Sequence, residues 1–96
     1  MLAGSMKYNN LKPVEKTLKA LANQRRLAIV MFLKKKSNAT VSEIAEEIDL
    51  SFRSTSKHLG VLRSAEILDK KQQSLQVFYF LSESLDPLTE AVIKFL

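Results

Sequence analysis

The sequence predicts a mainly α-helical domain with one β-hairpin, in the order helix, helix, helix, helix, strand, strand, helix. Three observations predict this fold class. Apolar residues recur at helical spacing through the first two thirds of the chain. After Ile67 the period changes, and runs rich in β-forming residues follow. The length of 96 residues, with 46% apolar and 26% charged residues, is typical of one globular domain with a single core.

The first helix is predicted by four apolar residues at helical spacing: Leu11, Val14, Leu18 and Leu21. Pro13 fits its first turn, where a backbone N–H has no helical partner. The preceding residues have no periodicity, and Gly4-Ser5-Met6 resembles a cloning junction. We therefore expect residues 1–5 to be an expression-vector remnant or a disordered tail, and residues 6–96 to form a single domain.

The second and third helices are predicted by their N-caps. Asn23 is a favourable N-cap for a helix over residues 24–36. Its central stretch, residues 27–33, is apolar on every side, so we expect neighbouring elements to surround it. Thr40 and Glu43 fit a capping box at the start of a third helix of about eight residues, since each side chain can bond the other's backbone amide.

Ser51 provides the N-cap of a fourth helix, predicted over residues 52–64. Gly60 lies inside it, and we expect an exposed or closely approached position there, since the apolar pattern continues beyond it. The inward stripe of this helix consists of Thr55, Leu59 and Leu62.

A hairpin and a last helix complete the predicted order. Residues 68–71 and 76–81 are extended candidates, separated by a turn at residues 72–75. Asp86 followed by Pro87 then begins the last helix, as N-cap and first helical residue.

The third and fourth helices, joined by a tight turn, form a helix-turn-helix. The major groove of DNA is about 12 Å wide and accepts one helix, whose free side needs hydrogen-bond donors near its N-terminus. The fourth helix carries such a free side, made of Arg53, Ser54, Lys57 and, less centrally, Ser56. The hairpin that follows adds polar candidates for contact with the flanking phosphates or the minor groove: Lys70, Lys71, Gln72, Gln73 and Ser74.

The charge distribution favours a nucleic-acid partner. The net charge is +5, but it is arranged in blocks: residues 1–36 carry nine Lys or Arg against one Glu, and residues 51–71 carry five against two acidic residues. Residues 37–50 hold four acidic residues and no base, and residues 72–96 have a net charge of −2. Such blocks indicate a basic face beside an acidic one, and double-stranded DNA is the expected partner.

The composition excludes several other classes. Without Cys the chain forms no disulfide, thiolate zinc site or Cys nucleophile, and a single His provides no His-rich metal cage. No catalytic triad, Gly-rich phosphate loop or metal pair is present, so we expect neither an enzyme nor a bound cofactor. No apolar run approaches the ~20 residues of a membrane span, and no signal-peptide core is visible; we expect a cytoplasmic protein without a membrane partner.

Three stretches resemble the ArsR-type winged helix-turn-helix repressors: LKALANQRRLAIVMFL (18–33), TVSEIAEEIDLSFRSTSKHLGVLRSAEIL (40–68) and KKQQSLQVFYFL (70–81). The "S…S.HL..L" pattern of the fourth helix and "VFYFL" of the second strand carry much of the similarity. The resemblance implies a winged helix-turn-helix fold and a transcription regulator, most simply a repressor. It also implies that the protein is a homodimer on a near-palindromic operator, with the helix over residues 51–64 in the major groove.

By this resemblance Ser54, Ser56, Lys57 and His58 fall in the DNA-facing part of the motif, with Arg53 beside them. Pairing of the first and last helices across a two-fold axis implies a dimer interface containing Leu11, Val14, Leu18, Leu88, Val92 and Phe95. The metal-sensing Cys and His ligands of many members have no counterpart here, so no metal site is implied. The turn at residues 72–75 also lacks the Gly and Arg that are common in the wings of this family.

Several alternatives stay open from the sequence. His58 is a proton switch, a phosphate contact or a structural hydrogen-bonding residue. The aromatic run of residues 78–80 favours core packing over base stacking, and the acidic residues 43–49 favour a solvated helix face over a cation site. A winged-helix protein–protein interaction adaptor without DNA binding is the alternative function. Nothing in the sequence indicates the inducer, whether a small molecule or a protein.

Overall fold

The computed structural model describes residues 11–96; the expectation for residues 1–5 lies outside this part. The described chain contains five helices and three strands. The helices are α1 (Lys12–Leu21), α2 (Gln24–Lys36), α3 (Val41–Ile48), α4 (Phe52–Ser64) and α5 (Pro87–Lys94), and the strands are β1 (Asn38–Ala39), β2 (Leu68–Gln73) and β3 (Gln76–Leu81). The predicted fold class is therefore confirmed, with one short strand added between α2 and α3.

The sheet is antiparallel in the order β1-β3-β2. The sequence did not predict β1, because two residues are too few to show a strand period. Ser37 takes a left-handed backbone conformation (φ 81°) after α2, and the chain then runs extended alongside β3. Ala39 pairs with Tyr79 and is fully buried. This short strand therefore joins the wing, which is the hairpin of β2 and β3, to the helical core.

The hairpin is longer than the sequence predicted. We placed Gln72 and Gln73 in the turn, but both belong to β2, where they pair with Val77 and Gln76. The turn is the dipeptide Ser74-Leu75, with Ser74 in the left-handed region (φ 59°). Glutamine is a weak strand signal, so the extension follows from ladder pairing with β3 rather than from local preference.

The core lies between α2, the helix-turn-helix and the base of the hairpin. Its fully buried large side chains include Ile29 and Leu33 from α2. The prediction that α2 is surrounded on every side is wrong at Met31, which is 39% exposed beside a groove between α2 and α3. The other large aliphatic side chains with less than 2% exposure come from α2, α3, α4 and the residue before β2: Val30, Ile44, Leu59, Leu62 and Ile67.

The helix-turn-helix is set by local hydrogen bonds that the sequence predicted. Thr40 Oγ1 accepts from the Glu43 amide at 3.2 Å, and Glu43 Oε1 accepts from the Thr40 amide at 2.9 Å, which completes the capping box. Asp49 ends α3 in the left-handed conformation (φ 55°), and Ser51 then caps α4. The two helices are therefore joined by a turn of three residues.

The last helix is held against α1 and α2 by two long-range hydrogen bonds. Asp86 caps α5, accepting from the Thr89 amide at 2.7 Å, and its other carboxylate oxygen accepts from Thr17 of α1 at 3.3 Å. Lys34 of α2 donates to the carbonyl of Ile93 at 3.1 Å, near the C-terminus of α5. These contacts place the first and last helices side by side.

Candidate nucleic-acid interface

Helix α4, the second helix of the helix-turn-helix, has one buried side and one free side. Thr55, Leu59 and Leu62 are completely buried, as their spacing predicted. Arg53 and Lys57 point the other way and are exposed, one helical turn apart. Gly60 continues this free side, and a Cβ built there would meet nothing within 4 Å. The free side of α4 is therefore cationic and sterically open.

The remaining predicted residues of α4 lie on its two flanks rather than on the free side. Ser56 is half-buried and lines a groove of about 470 Å³ between α4 and the hairpin. Ser54 and His58, also half-buried, share the opposite flank four residues apart, and His58 there contacts α2. The sequence therefore predicted the bounds of this helix correctly, and its five candidate residues face three directions.

His58 makes a specific contact that the sequence left open. Its Nδ1 lies 3.2 Å from Nη1 of Arg26, on α2. Burial lowers the pKa of His58 below its ordinary value of 6.5, and the positive charges of Arg26 and Arg25 lower that pKa further. This contact favours the structural interpretation of His58. Arg26 was missed from the sequence, since a contact between residues 32 positions apart leaves no local signal.

The hairpin presents its polar residues to solvent. Five consecutive residues are exposed along β2 and its turn: Lys70, Lys71, Gln72, Gln73 and Ser74. Lys70 also lines the groove that reaches Ser56, so the wing and α4 border one surface. Two apolar residues border this groove unexpectedly, namely Phe52 (59% exposed) and Leu75 (97% exposed).

The aromatic strand β3 packs on the core through one of its faces. Tyr79 and Leu81 are half-buried against the core cluster. Phe78 and Phe80 alternate with them and lie on the other face of the sheet, also half-buried. The preference for core packing is confirmed for the face that contains Tyr79.

The residues predicted at a dimer interface are divided between two helices. Leu11, Val14 and Leu18 are 43–48% exposed and line an apolar hollow of about 370 Å³ on α1. On α5, Phe95 is 90% exposed, whereas Val92 packs partly against the core of its own chain. Leu88 is half-buried.

Among residues 11–96, no three His, Cys, Asp or Glu side chains are grouped closely enough to hold a metal ion. Within the same part of the chain, no helix has the length and apolar character of a membrane span.

Comparison with known proteins identifies the family. The family model described as bacterial regulatory protein, arsR family, matches residues 23–70, from the N-cap of α2 into β2. The transcriptional activator HlyU of Vibrio cholerae is 35% identical over 79 residues, which cover 82% of this chain and 71% of that protein. The transcriptional repressor PagR of Bacillus anthracis is 30% identical over 91 residues, covering 95% and 88%. The chain belongs to the ArsR family.

Solved structures of transcriptional regulators have the same fold. Reduced HlyU from Vibrio cholerae superposes with a TM-score of 0.77 at 32% identity, covering 92% of this chain and 88% of that one. The homodimeric winged helix-turn-helix DNA-binding domain Mb0332 from Mycobacterium bovis gives 0.77 at 26% identity, covering 94% and 77%. The predicted family, fold and class of function are thereby confirmed: the protein is a transcription regulator built on a winged helix-turn-helix.

Proposed function

We propose that this ArsR-family protein is a homodimeric repressor that binds a near-palindromic site in double-stranded DNA. The observation that carries the proposal is the free side of α4, where Arg53 and Lys57 are exposed beside an open Gly60. A helix held by its buried side and basic on its free side has the form that the major groove accepts. The protein acts in the cytoplasm on bacterial DNA, as a regulator rather than an enzyme.

The residues of the interface differ in role. Arg53 reads a base edge, since a guanidinium can donate two parallel hydrogen bonds to guanine. Ser56 and Lys57 contact phosphates or base edges beside it, while Ser54 and His58 lie on the α2 side of the helix. The wing residues Lys70, Lys71, Gln72, Gln73 and Ser74 contact the flanking backbone or the minor groove, without strong sequence preference.

The dimer forms through the apolar face of α1 and the adjoining end of α5. Leu11, Val14 and Leu18 leave an apolar hollow open to solvent, and Phe95 is almost fully exposed. Covering these side chains removes apolar area from water, which favours association. A two-fold axis there places two copies of α4 roughly 34 Å apart, one turn of DNA.

The regulatory outcome we propose is repression by occupancy of a promoter. PagR carries the name of a repressor and HlyU that of an activator. Occupancy of an operator by a small domain blocks other proteins without any further contact, so repression requires the fewest assumptions.

Selection of bound DNA from a random library tests DNA binding, two-fold symmetry and half-site spacing together. We expect an enriched site with two inverted half-sites about 10 base pairs apart. With about 6–10 phosphate contacts, affinity should fall on the order of 10³–10⁵-fold between 50 and 200 mM salt. Leu18→Glu should yield a monomer with weak binding, whereas Lys16→Gln, at an exposed position of the same helix, changes the net charge by the same single unit and is the control for charge alone. A binding curve that is independent of salt would overturn this mechanism.

The protein–protein adaptor is the alternative, since Phe52 and Leu75 expose apolar surface near the interface. A gel shift with random duplex DNA at low salt separates the two functions. No retardation at micromolar protein would favour the adaptor.

A further inference from the structure

Arg26 joins three helices through a single guanidinium group. Its Nε donates to the carbonyl of Ala20 at 2.6 Å and its Nη2 to the carbonyl of Lys19 at 3.1 Å, both at the C-terminal end of α1. Its Nη1 faces His58 Nδ1, in the middle of α4, at 3.2 Å. Because two of its nitrogens bond the end of α1 and a third faces α4, the plane of the guanidinium is fixed.

These contacts determine the protonation of His58. A guanidinium only donates hydrogen bonds, so Nδ1 of His58 must accept. The ring is then neutral, with its proton on Nε2, on the side of the ring away from Arg26. The charged groups around it are Arg26 and Arg25 from α2, Lys19 of α1 with its ion-pair partner Glu15 at 3.7 Å, and the neighbouring Lys57, which is exposed on the free side of α4. Burial of the ring and the charges of Arg26 and Arg25 disfavour a second proton on it.

Because His58 lies on a flank of α4, its contact with Arg26 affects the direction in which the free side of that helix points. Thr55, Leu59 and Leu62 fix α4 along one line of its surface. A contact on a flank adds to the resistance of a helix to rotation about its own axis. His58 provides such a contact on the flank that faces α2. Any rotation of α4 about its axis would turn the free side, with Lys57, through the same angle.

We propose that Arg26 is a positioning residue for DNA recognition: through neutral His58 it fixes the rotation of α4 that presents Arg53 and Lys57 to the major groove. The proposal rests on the proposed DNA-binding function. It makes His58 an acceptor for Arg26 rather than a phosphate ligand. It also implies that protonation of His58 reduces recognition of the cognate site, although added positive charge alone would strengthen binding to phosphates.

Two amide variants separate positioning from direct contact. His58→Asn places an amide oxygen near the position of Nδ1 and can still accept from Arg26. His58→Gln places its amide near Nε2 and keeps only an outward donor. We expect His58→Asn to retain cognate affinity within a few-fold and His58→Gln to lose at least about tenfold, as for a lost hydrogen bond to a charged group. The reverse order would overturn the proposal in favour of a phosphate contact.

Arg26→Lys keeps the charge, but its single ammonium nitrogen cannot take the place of three guanidinium nitrogens held at fixed, separate positions. We expect it to lower the ratio of cognate to scrambled-duplex affinity at least about tenfold. Arg25→Lys is the matched control, because Arg25 is exposed and retains its charge in this variant. Circular dichroism on each variant shows whether the helices are intact. Equal ratios in the two variants, with intact helices, would refute the positioning role.

Nuclear magnetic resonance of the free protein tests the contact without DNA. Nitrogen shifts of His58 should report the Nε2–H tautomer in the wild type, and a mixture of tautomers with a higher pKa in Arg26→Lys. Unchanged shifts in the variant would overturn the proposal. Because this measurement needs no DNA, a wild-type protein that shows the tautomer but binds no duplex would refute the proposed function and leave the contact standing.

Discussion

The recognition helix and the wing border the same groove but are built in opposite ways. Helix α4 is fixed by three completely buried side chains and by the contact between His58 and Arg26. Strand β2 buries only Leu68, and its other five residues are exposed. Pairing with β3 from Leu68 to Gln73 is what holds the wing in place.

This difference bears on the roles that we propose for the two regions in DNA binding. Reading a base edge requires donors held at fixed positions, which tertiary contacts provide for α4. Contact with phosphates tolerates a less rigid element, because charge attraction has little directional demand. The contrast therefore supports the roles that we propose, sequence discrimination for α4 and general affinity for the wing.

The largest expected difference is in folding stability. Leu59→Ala, at a completely buried position of α4, should lower the free energy of unfolding by about 2–5 kcal/mol. Leu75→Ala removes the same atoms at the tip of the wing, where the side chain is 97% exposed. It should change the free energy of unfolding by less than about 0.5 kcal/mol. Urea denaturation followed by circular dichroism measures both. A similar loss in the two variants would contradict the contrast between helix and wing.

The next largest difference is in sequence discrimination. Arg53→Ala should cost about 1–3 kcal/mol on a cognate duplex and much less on a scrambled one, because a base contact is lost. Lys71→Ala should weaken both duplexes alike and reduce the slope of log affinity against log salt by about 1. Fluorescence anisotropy over a range of salt concentrations measures both quantities. Equal losses on both duplexes for Arg53→Ala would rule out base reading by that residue.

The helix starts could be predicted from sequence because their determinants are local. Asn23, the capping box at Thr40 and Ser51 each act on amides two or three residues away. Asp86 does the same for α5. The order of the elements and the inward stripe of α4 followed from these starts and from the apolar period.

The features that escaped prediction depend on contacts between distant residues. The extension of β2 through Gln73 comes from its partner strand, and β1 exists only because Ala39 meets Tyr79. The contact of Arg26 with His58 spans 32 positions. Within the candidate site, the helix and its inward stripe were therefore predictable, but the elements that its flanks meet, α2 beside His58 and the hairpin beside Ser56, were not.

A smaller effect on folding stability is expected at Thr55, on the buried side of α4. Its side chain is completely buried, and its hydroxyl oxygen has no hydrogen-bond partner in the described part of the chain. Thr55→Val replaces this hydroxyl with a methyl group of similar size, so it should raise the stability by up to about 1 kcal/mol. Thermal denaturation measures the change. Ser56→Ala, on the half-buried flank, is the control, and destabilisation by Thr55→Val would indicate a partner for the hydroxyl.

The smallest expected effect is on the pH dependence of folding stability. It arises in the helix and not in the wing, because His58, on α4, is the only histidine of the chain. Its pKa is lowered in the folded protein, so the unfolded chain binds more protons as the pH falls below 6.5. The stabilisation from neutral His58 is thus complete above pH 6.5 and is lost below it. Melting temperatures between about pH 7.5 and 5 should fall further in the wild type than in His58→Asn, which cannot titrate there. Above pH 5 the carboxylate of Asp86, whose pKa is lowered mainly by the Thr89 amide, stays ionised and does not contribute to the difference. Parallel pH curves for the two proteins would place His58 outside the contacts that hold α4.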